Sequence, residues 1–233
     1  MEKIMIFEYN NLNDMSFDAA KTVYNFYTYY IKKQNFFTFV LSGGNTPKIL
    51  YKILASQYSE SINWNKVYIF FGDERYIDID SEYSNYKMVY NNILSMINIP
   101  DENIYRIKTE ITPIERCADE YENSIKKFFM DKNKDISFDL ILLGLGADGH
   151  IASIFPDIKI SDDKYIDYVF PEKANPNIPR ITFTYKSINN SKNVLFLLSG
   201  DRKIKVLKEV FKGKEYPAKY IKPKENLLYF ISK

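Results

Sequence analysis

The sequence predicts an α/β protein with a mainly parallel sheet and helices on both faces, as in Rossmann-like folds. Short, continuous apolar runs, typical of strands buried on both faces, alternate along the chain with segments of helical apolar spacing. This alternation indicates strand–helix–strand units and therefore parallel strands. The chain shows no internal repeat and no linker, so we expect one domain over residues 1–233.

The first half of the chain holds three predicted strands. Ile4–Tyr9 is a short apolar strand, and Phe36–Leu41 is a continuous apolar run that ends at two glycines. Pro47 suits the first turn of the next helix, because its missing N–H costs little there. Val67–Phe71 is the third strand. The helix between the first two strands is predicted from an apolar stripe at helical spacing: Phe17, Ala20, Tyr24, Tyr27 and Ile31.

The second half begins with two predicted helices and the strongest strand. The helices are Ser84–Leu94 and Ile114–Phe129, and the strand is Phe138–Leu143, which Gly144 ends. Further strands and one more helix follow; they are Arg180–Thr184, Val194–Leu198, Lys203–Phe211 (the helix) and Leu227–Ile231. Pro171–Pro179 is the most loop-like segment, and it forms either the edge of a site or a connection.

The composition excludes several classes of function. The formal net charge is only +2, too small for a broad nucleic-acid or membrane surface. The single cysteine, Cys117, cannot form an internal disulfide, and one Cys with one His cannot build a usual structural zinc site. No apolar run reaches the ~18–20 residues of a membrane span, and the N-terminus lacks a signal-peptide pattern. We therefore expect a cytoplasmic protein that needs no metal or cofactor.

The first candidate binding segment is Ser42-Gly43-Gly44-Asn45-Thr46-Pro47, where a strand leads through two glycines into a helix. In open α/β sheets, ligands bind beyond the carboxyl ends of the strands. Glycines permit close backbone approach, and the free N–H groups of a helix N-terminus suit a phosphate. The alternative is an ordinary turn in which Thr46 caps the helix.

The second segment, Gly72-Asp73-Glu74-Arg75, places three consecutive charged residues directly after an apolar strand. Arg75 can hold an oxyanion or a phosphate by a forked contact, while Asp73 and Glu74 can orient it or contact hydroxyl groups. The alternative is a solvated loop with a local ion pair.

The third segment, Gly144–His150, follows the strongest strand and contains the only histidine of the chain. An imidazole is suited to proton transfer near neutral pH, and Asp148 can fix the tautomer of His150. The glycines allow a tight loop that places the ring in a cleft. The alternative is a structural or merely exposed histidine.

The fourth segment combines Arg180–Thr184 with Ser199-Gly200-Asp201-Arg202-Lys203. Lys203 lies at the start of a predicted helix, where a cation opposes the helix dipole, and this suggests an anion between them. The alternative is a solvated lysine in a basic turn. The G-x-S-x-G pattern of serine hydrolases is absent, and no carboxylate spacing suggests a metal site.

Together these segments resemble the 6-phosphogluconolactonase family, part of a larger group that includes the glucosamine-6-phosphate deaminases. Ser42–Pro47 is similar to the family's Ser-Gly-Gly-Ser-Thr-Pro, and Gly72–Arg75 with Ser84-Asn85 to its Asp-Glu-Arg and Ser-Asn. Asp148–Pro156 is similar to Asp-Gly-His-Thr-Ala-Ser-Leu-Phe-Pro, with isoleucine at the position of the usual threonine. The deaminases typically carry Asp-Glu-Tyr and Phe-Asn-Glu-Pro instead, so the resemblance favours the lactonases. Arg180-Ile-Thr-Phe-Thr and Gly200-Asp-Arg-Lys match the later Arg-x-Thr-x-Thr and Gly-x-x-Lys.

The resemblance implies hydrolysis of 6-phospho-D-glucono-1,5-lactone in the oxidative pentose phosphate pathway, without a cofactor or metal. His150 would be the general base on the attacking water, with Asp148 orienting it and Arg75 or loop amides facing the oxyanion. The substrate- and phosphate-binding residues would be Ser42, Gly43, Gly44, Asn45, Thr46, Asp73, Arg180 and Lys203.

Two other functions stay open at this point. One is a glucosamine-6-phosphate isomerase/deaminase, and the other is a non-catalytic sugar-phosphate-binding protein. In each case the partner is a small sugar phosphate rather than nucleic acid or a membrane, and the protein is a monomer or a small homo-oligomer.

Overall fold

A computed structural model describes residues 3–233, and its main sheet has seven parallel strands. Their ranges are β1 (Lys3–Tyr9), β2 (Phe37–Leu41), β3 (Val67–Phe71), β5 (Ile104–Tyr105), β6 (Leu140–Leu143), β9 (Asn193–Ser199) and β10 (Asn226–Ser232). They lie side by side in the order β1-β10-β9-β6-β2-β3-β5. The predicted α/β class with a mainly parallel sheet is thus confirmed.

A small antiparallel sheet accompanies the main one. It consists of β4 (Asp73–Arg75), β8 (Arg180–Phe183) and β7 (Ile166–Val169), in that order across the sheet. In the register of β4 and β8, Arg75 lies opposite Arg180 and Asp73 opposite Thr182. The second and fourth candidate segments are therefore paired strands.

Helices cover both faces of the main sheet. They are α1 (Leu12–Gln34), α2 (Pro47–Gln57), α3 (Asn85–Asn92), α4 (Ile114–Asp131), α5 (Tyr185–Asn189) and α6 (Asp201–Phe211). Tyr30 of α1 stacks on Phe37 at one face, and Phe128 of α4 meets Phe70 at the other. Within residues 3–233, no helix combines the length and the apolar character that a membrane crossing requires.

The order of the strands sets the position of a binding crevice. From β2 the chain continues to β3 on one side, and it later returns to β6 on the other side of β2. Such a reversal between neighbouring parallel strands opens a crevice at their carboxyl ends. Ser42 follows β2 directly and Gly144 follows β6, so the first and third candidate segments flank this crevice.

Several expectations about the elements need correction. Asp73–Arg75 is a strand rather than a loop, and the predicted strand Arg180–Thr184 is found as Arg180–Phe183 but in the antiparallel sheet rather than the parallel one. β5, β7 and α5 were not predicted. The apolar pattern of β5 is too short to recognise in the sequence, and the sequences of β7 and α5 show no clear apolar period. Phe17 is 48% exposed, because the buried stripe of α1 runs instead through Met15, Ala19, Val23, Tyr27 and Tyr30.

Candidate active site

A cavity of about 290 Å³ lies at the carboxyl ends of β2, β3 and β6. All four candidate segments contribute to its walls. The predicted residues that line it are Ser42, Gly43, Gly44, Asp73, Arg75, His150, Arg180 and Lys203. Asn85, the segment Gly144–Ala147 and Ala152 also line it, and they were not among the predicted site residues.

His150 and Asp148 form a hydrogen-bonded pair at the edge of this cavity. Nδ1 of His150 lies 2.6 Å from Oδ1 of Asp148, and the two side chains are 29% and 53% exposed. Because an ionised carboxylate only accepts hydrogen bonds, Nδ1 carries the proton in this contact. Nε2 makes no hydrogen bond to any residue in the described range 3–233, so it is the free acceptor of the ring.

The environment of Asp148 favours its ionised form. Burial opposes ionisation, but the hydrogen bond and the charge of His150 outweigh it, so the pKa of Asp148 lies below its usual range. Asp148 does not itself line the 290 Å³ cavity. It borders a neighbouring cavity of about 480 Å³, which Phe155 also lines.

A tight loop holds the His150–Asp148 pair in place. The N–H of Gly146 donates to the carbonyl of His150 at 2.8 Å, and the N–H of His150 donates to Oδ1 of Asp148 at 3.3 Å. A Cβ atom on Gly146 would lie 2.3 Å from both Oδ1 of Asp148 and Nδ1 of His150. The predicted need for glycine thus has a specific cause at Gly146, where the side chains of Asp148 and His150 pack against its Cα.

Ser153 anchors the chain that follows His150. Its side chain is fully buried, its hydroxyl donates to Oδ2 of Asp73 at 2.7 Å, and its N–H donates to the hydroxyl of Thr182 at 3.0 Å. Ala152 beside it adopts φ 47°, in the left-handed region that non-glycine residues rarely occupy. These contacts tie the loop to two strands of the small sheet, β4 and β8.

The three consecutive charged side chains of β4 face alternate sides of the strand. Asp73 and Arg75 line the cavity, and Glu74 points away from it, because successive side chains of a strand face opposite sides. The carboxylate of Glu74 accepts the N–H groups of Asn85 and Tyr86 at 2.7 Å each. Glu74 therefore caps α3 and does not contact ligand hydroxyls, contrary to one sequence-based expectation.

Arg75 and Arg180 bring two positive charges to the same wall. They lie directly opposite each other on β4 and β8, an arrangement that is unfavourable for like charges without an intervening anion. Burial lowers the pKa of Arg180, and the charge of Arg75 adds to this effect while Asp73 opposes it. Within residues 3–233, three buried side-chain nitrogen or oxygen atoms lack a hydrogen-bond partner, and two of them are the Nε atoms of Arg75 and Arg180.

Lys203 supplies a third positive charge from the first turn of α6. Its side chain has no hydrogen-bond or ion-pair partner among the residues that the structure describes, and burial lowers its pKa. A desolvated ammonium without a carboxylate partner is unfavourable unless an anion binds beside it. This environment favours the anion-binding interpretation of Lys203 over a solvated lysine in a basic turn.

The loop after β2 is shaped by two buried side chains. The hydroxyl of Tyr51 donates to the carbonyl of Ser42 at 2.7 Å and accepts its N–H at 3.1 Å. A Cβ atom on Gly43 would lie 1.9 Å from Oδ1 of Asn85, so glycine is required for the close approach of this amide. The Ser84-Asn85 pair in the sequence was the available signal for Asn85.

Two predicted phosphate-binding residues lie outside the cavity. Asn45 is exposed beside it, and Thr46 is 8% exposed with its side chain turned inward. Thr46 also makes no capping hydrogen bond with its side chain, because its backbone is already helical at φ −58° and ψ −46°. Among residues 3–233, no group of three or more His, Cys, Asp or Glu side chains is arranged to hold a metal ion.

The chain matches known proteins over most of its length. The model of the family described as glucosamine-6-phosphate isomerases/6-phosphogluconolactonase matches residues 10–230. A 6-phosphogluconolactonase of Thermotoga maritima is 36% identical, over 83% of this chain and 83% of its own length. One of Synechocystis is 39% identical, over 83% of this chain and 81% of its own length. A relative of Arabidopsis thaliana, 32% identical over 100% of this chain and 74% of its own length, is named as chloroplastic, so a cytoplasmic location stays a prediction.

Solved structures show the same architecture. A crystal structure of 6-phosphogluconolactonase from Thermotoga maritima superposes with a TM-score of 0.89, at 31% identity over 99% of this chain and 100% of that one. The structure of 6-phosphogluconolactonase from Trypanosoma brucei also gives 0.89, at 26% identity over 100% of this chain and 97% of that one. The chain belongs to the glucosamine-6-phosphate isomerase/6-phosphogluconolactonase family.

Proposed function

We propose that this protein hydrolyses 6-phospho-D-glucono-1,5-lactone to 6-phospho-D-gluconate, with His150 as the general base. One observation carries the proposal: a single cavity joins the His150 ring, held by Asp148, to three cations that have no anionic ion-pair partner within residues 3–233, namely Arg75, Arg180 and Lys203. The names of the relatives, which are 6-phosphogluconolactonases, support this substrate.

His150 starts the reaction at its free nitrogen. Nε2 takes a proton from a water molecule, whose oxygen attacks the carbonyl carbon of the lactone. Asp148 holds the ring by Nδ1 and stabilises the imidazolium that forms. When the tetrahedral intermediate collapses, the bond from that carbon to the ring oxygen breaks. The imidazolium returns its proton to this oxygen, and the new carboxylic acid ionises.

The cations divide between the phosphate and the reacting carbonyl. Lys203 and Arg180, with the backbone of Gly43 and Gly44, bind the phosphate, and this remote contact positions the lactone ring for attack. Arg75 faces the oxyanion of the intermediate, together with loop amides of Gly144–Ala147. A lactone is already an activated ester, so a positioned base, worth roughly 10²–10⁴-fold, supplies much of the acceleration needed.

The proposal is tested with freshly generated lactone and with glucosamine 6-phosphate in parallel. We expect the protein to accelerate the decay of the lactone well above its spontaneous rate and to release no ammonia from the amino sugar. Ammonia release without lactone hydrolysis would identify a deaminase. Binding of both sugar phosphates without turnover of either would identify a binding protein.

A further inference from the structure

We infer that Phe155 is a positioning residue that holds both His150 and Arg180 in their working orientations. The inference rests on the proposed function for its kinetic tests, but the contacts that carry it are independent of the substrate. The buried ring of Phe155, only 6% exposed, contacts both the proposed base, His150, and a proposed phosphate-binding cation, Arg180.

The contact with His150 restrains the imidazole plane. The ring centroids of Phe155 and His150 are 4.8 Å apart, and the planes are inclined by 34°. The hydrogen bond from Nδ1 to Asp148 fixes one atom of the imidazole, but it leaves rotation about that contact free. An aromatic face against the ring removes this freedom, so Nε2 keeps one direction toward the cavity.

The second contact of Phe155 supports the guanidinium of Arg180. The guanidinium carbon of Arg180 lies 5.4 Å from the centroid of Phe155, within the range of a cation–π interaction. Arg180 has few other contacts, because Nη2 reaches the carbonyl of Pro176 only at 3.4 Å, Nε has no hydrogen-bond partner within residues 3–233, and Asp73 acts on it through its charge alone. The aromatic ring is thus a main support of this buried cation.

Phe155 itself is rigidly placed. Ile151 and Ile154 form a short antiparallel bridge between His150 and Phe155, and Ser153 is bonded to Asp73 and Thr182. The ring also lines the neighbouring 480 Å³ cavity, so a smaller side chain would enlarge that cavity. The loop therefore carries the base and its support as one unit.

The first test compares substitutions that remove or keep the aromatic ring. We expect Phe155→Leu to lower kcat about ten- to a hundredfold, because the base loses its fixed direction, and to raise KM several-fold through Arg180. Phe155→Tyr keeps the ring and should retain most of the activity. Phe155→Met fills the volume without a ring and replaces Phe155→Leu if that variant does not fold. Equal activity of the aromatic and aliphatic variants would overturn the inference.

The second test asks whether Phe155 acts through His150. In a His150→Ala background, Phe155→Leu should change the residual kcat by less than twofold, because the group that it orients is absent. A merely structural residue would lower activity by the same factor in both backgrounds, and that result would contradict the inference. Phe170→Leu is the control, since Phe170 lines the neighbouring cavity, is 56% exposed and should leave kcat unchanged.

The third test needs no activity. His150 is the only histidine of the chain, so its ring protons give a single set of proton NMR signals. In the wild type, the face of Phe155 should shift these signals upfield, and Phe155→Leu should move them downfield while Phe155→Tyr does not. An unchanged signal in Phe155→Leu would contradict the stacking. If the wild type did not hydrolyse the lactone, the proposed function would fail, and this measurement would still decide the contact.

Discussion

Gly146 is the residue on which the geometry of the His150–Asp148 pair depends most directly. We expect Gly146→Ala to lower kcat about a hundredfold with little change in stability, because the added Cβ would lie 2.3 Å from both side chains and separate them. Steady-state kinetics and thermal unfolding of the variant check this. Gly72→Ala is the matched control, since its Cβ would meet only ordinary contacts, at 3.6 Å from Val40 and beyond. Full activity of Gly146→Ala would contradict this expectation, because it would show that activity does not depend on the present geometry of the His150–Asp148 pair.

We expect Lys203 to make the binding of phosphorylated ligands weaker at alkaline pH. Burial lowers the pKa of Lys203, and an anion binds the charged form, so binding above that pKa requires uptake of a proton. Above the second ionisation of the ligand's phosphate, at about pH 6, we expect the affinity for 6-phosphogluconate to be constant and then to fall as the pH rises through the lowered pKa of Lys203. Calorimetry in buffers of different ionisation enthalpy measures the proton uptake directly.

The variant Lys203→Arg distinguishes the titration of Lys203 from other causes of a loss of affinity at high pH. Arginine stays charged at pH values where lysine does not, so the variant should bind without the alkaline loss of affinity. Lys203→Ala should bind weakly at every pH. A wild-type affinity that falls in the same way as that of Lys203→Arg would place the titrating group elsewhere.

Sequence analysis identified the charged and titratable residues of the candidate site, but it did not identify the contacts that hold them in place. His150, Arg75 and Lys203 stood out because charged or titratable residues followed apolar strands, and Arg180 stood out by its resemblance to the family's Arg-x-Thr-x-Thr. The sequence does not show why Gly146 must be a glycine or that Glu74 caps α3. Both follow from distances in the folded structure, which spacing along the chain does not give.

At the scale of elements, a buried network around Asp139 joins three strands and a helix at the amino ends of the sheet. Asp139 is fully buried; it accepts the N–H of Thr38 at 2.8 Å, the ammonium of Lys192 at 2.5 Å and the amide of Gln34 at 2.9 Å. These partners belong to β2, to the residue before β9 and to the end of α1.

We expect Asp139→Ala to lower the free energy of unfolding by about 3–5 kcal/mol, because the buried N–H and hydroxyl of Thr38 would lose their acceptor and the ammonium of Lys192 would lose its ion-pair partner. Denaturant unfolding measures this. Asp157→Ala is the control: it removes the exposed contact with Lys173 and should leave the midpoint unchanged. A similar small effect of both substitutions would show that the buried network adds little.

The small antiparallel sheet is the element that sequence reasoning missed, although its parts were visible. The alternation of Asp73, Glu74 and Arg75 has a two-residue period, but three polar residues carry no apolar signal for a strand. Pairing with β8 joins residues more than a hundred positions apart, and only the tertiary structure shows that Arg75 and Arg180 are opposite each other.

At the scale of the molecule, we propose that the chain unfolds as one domain, as the absence of a linker predicts. β1 pairs in parallel with β10, so the two ends of the chain lie in one sheet. Fluorescence of the single tryptophan, Trp64, reports on the region before β3, and the NMR signals of His150 report on the loop after β6. Coincident denaturant transitions of both probes are expected. Transitions at different denaturant concentrations would indicate two units.

The central claim is that His150 is the base of a lactonase. The most direct measurement follows the decay of 6-phosphogluconolactone, generated in place by glucose-6-phosphate dehydrogenase, with the wild type and with His150→Ala. We expect acceleration by the wild type, and a kcat in the variant roughly 10²–10⁴-fold lower with little change in KM. Equal acceleration by both proteins would contradict the role of His150, and decay at the spontaneous rate with both would contradict the lactonase function itself.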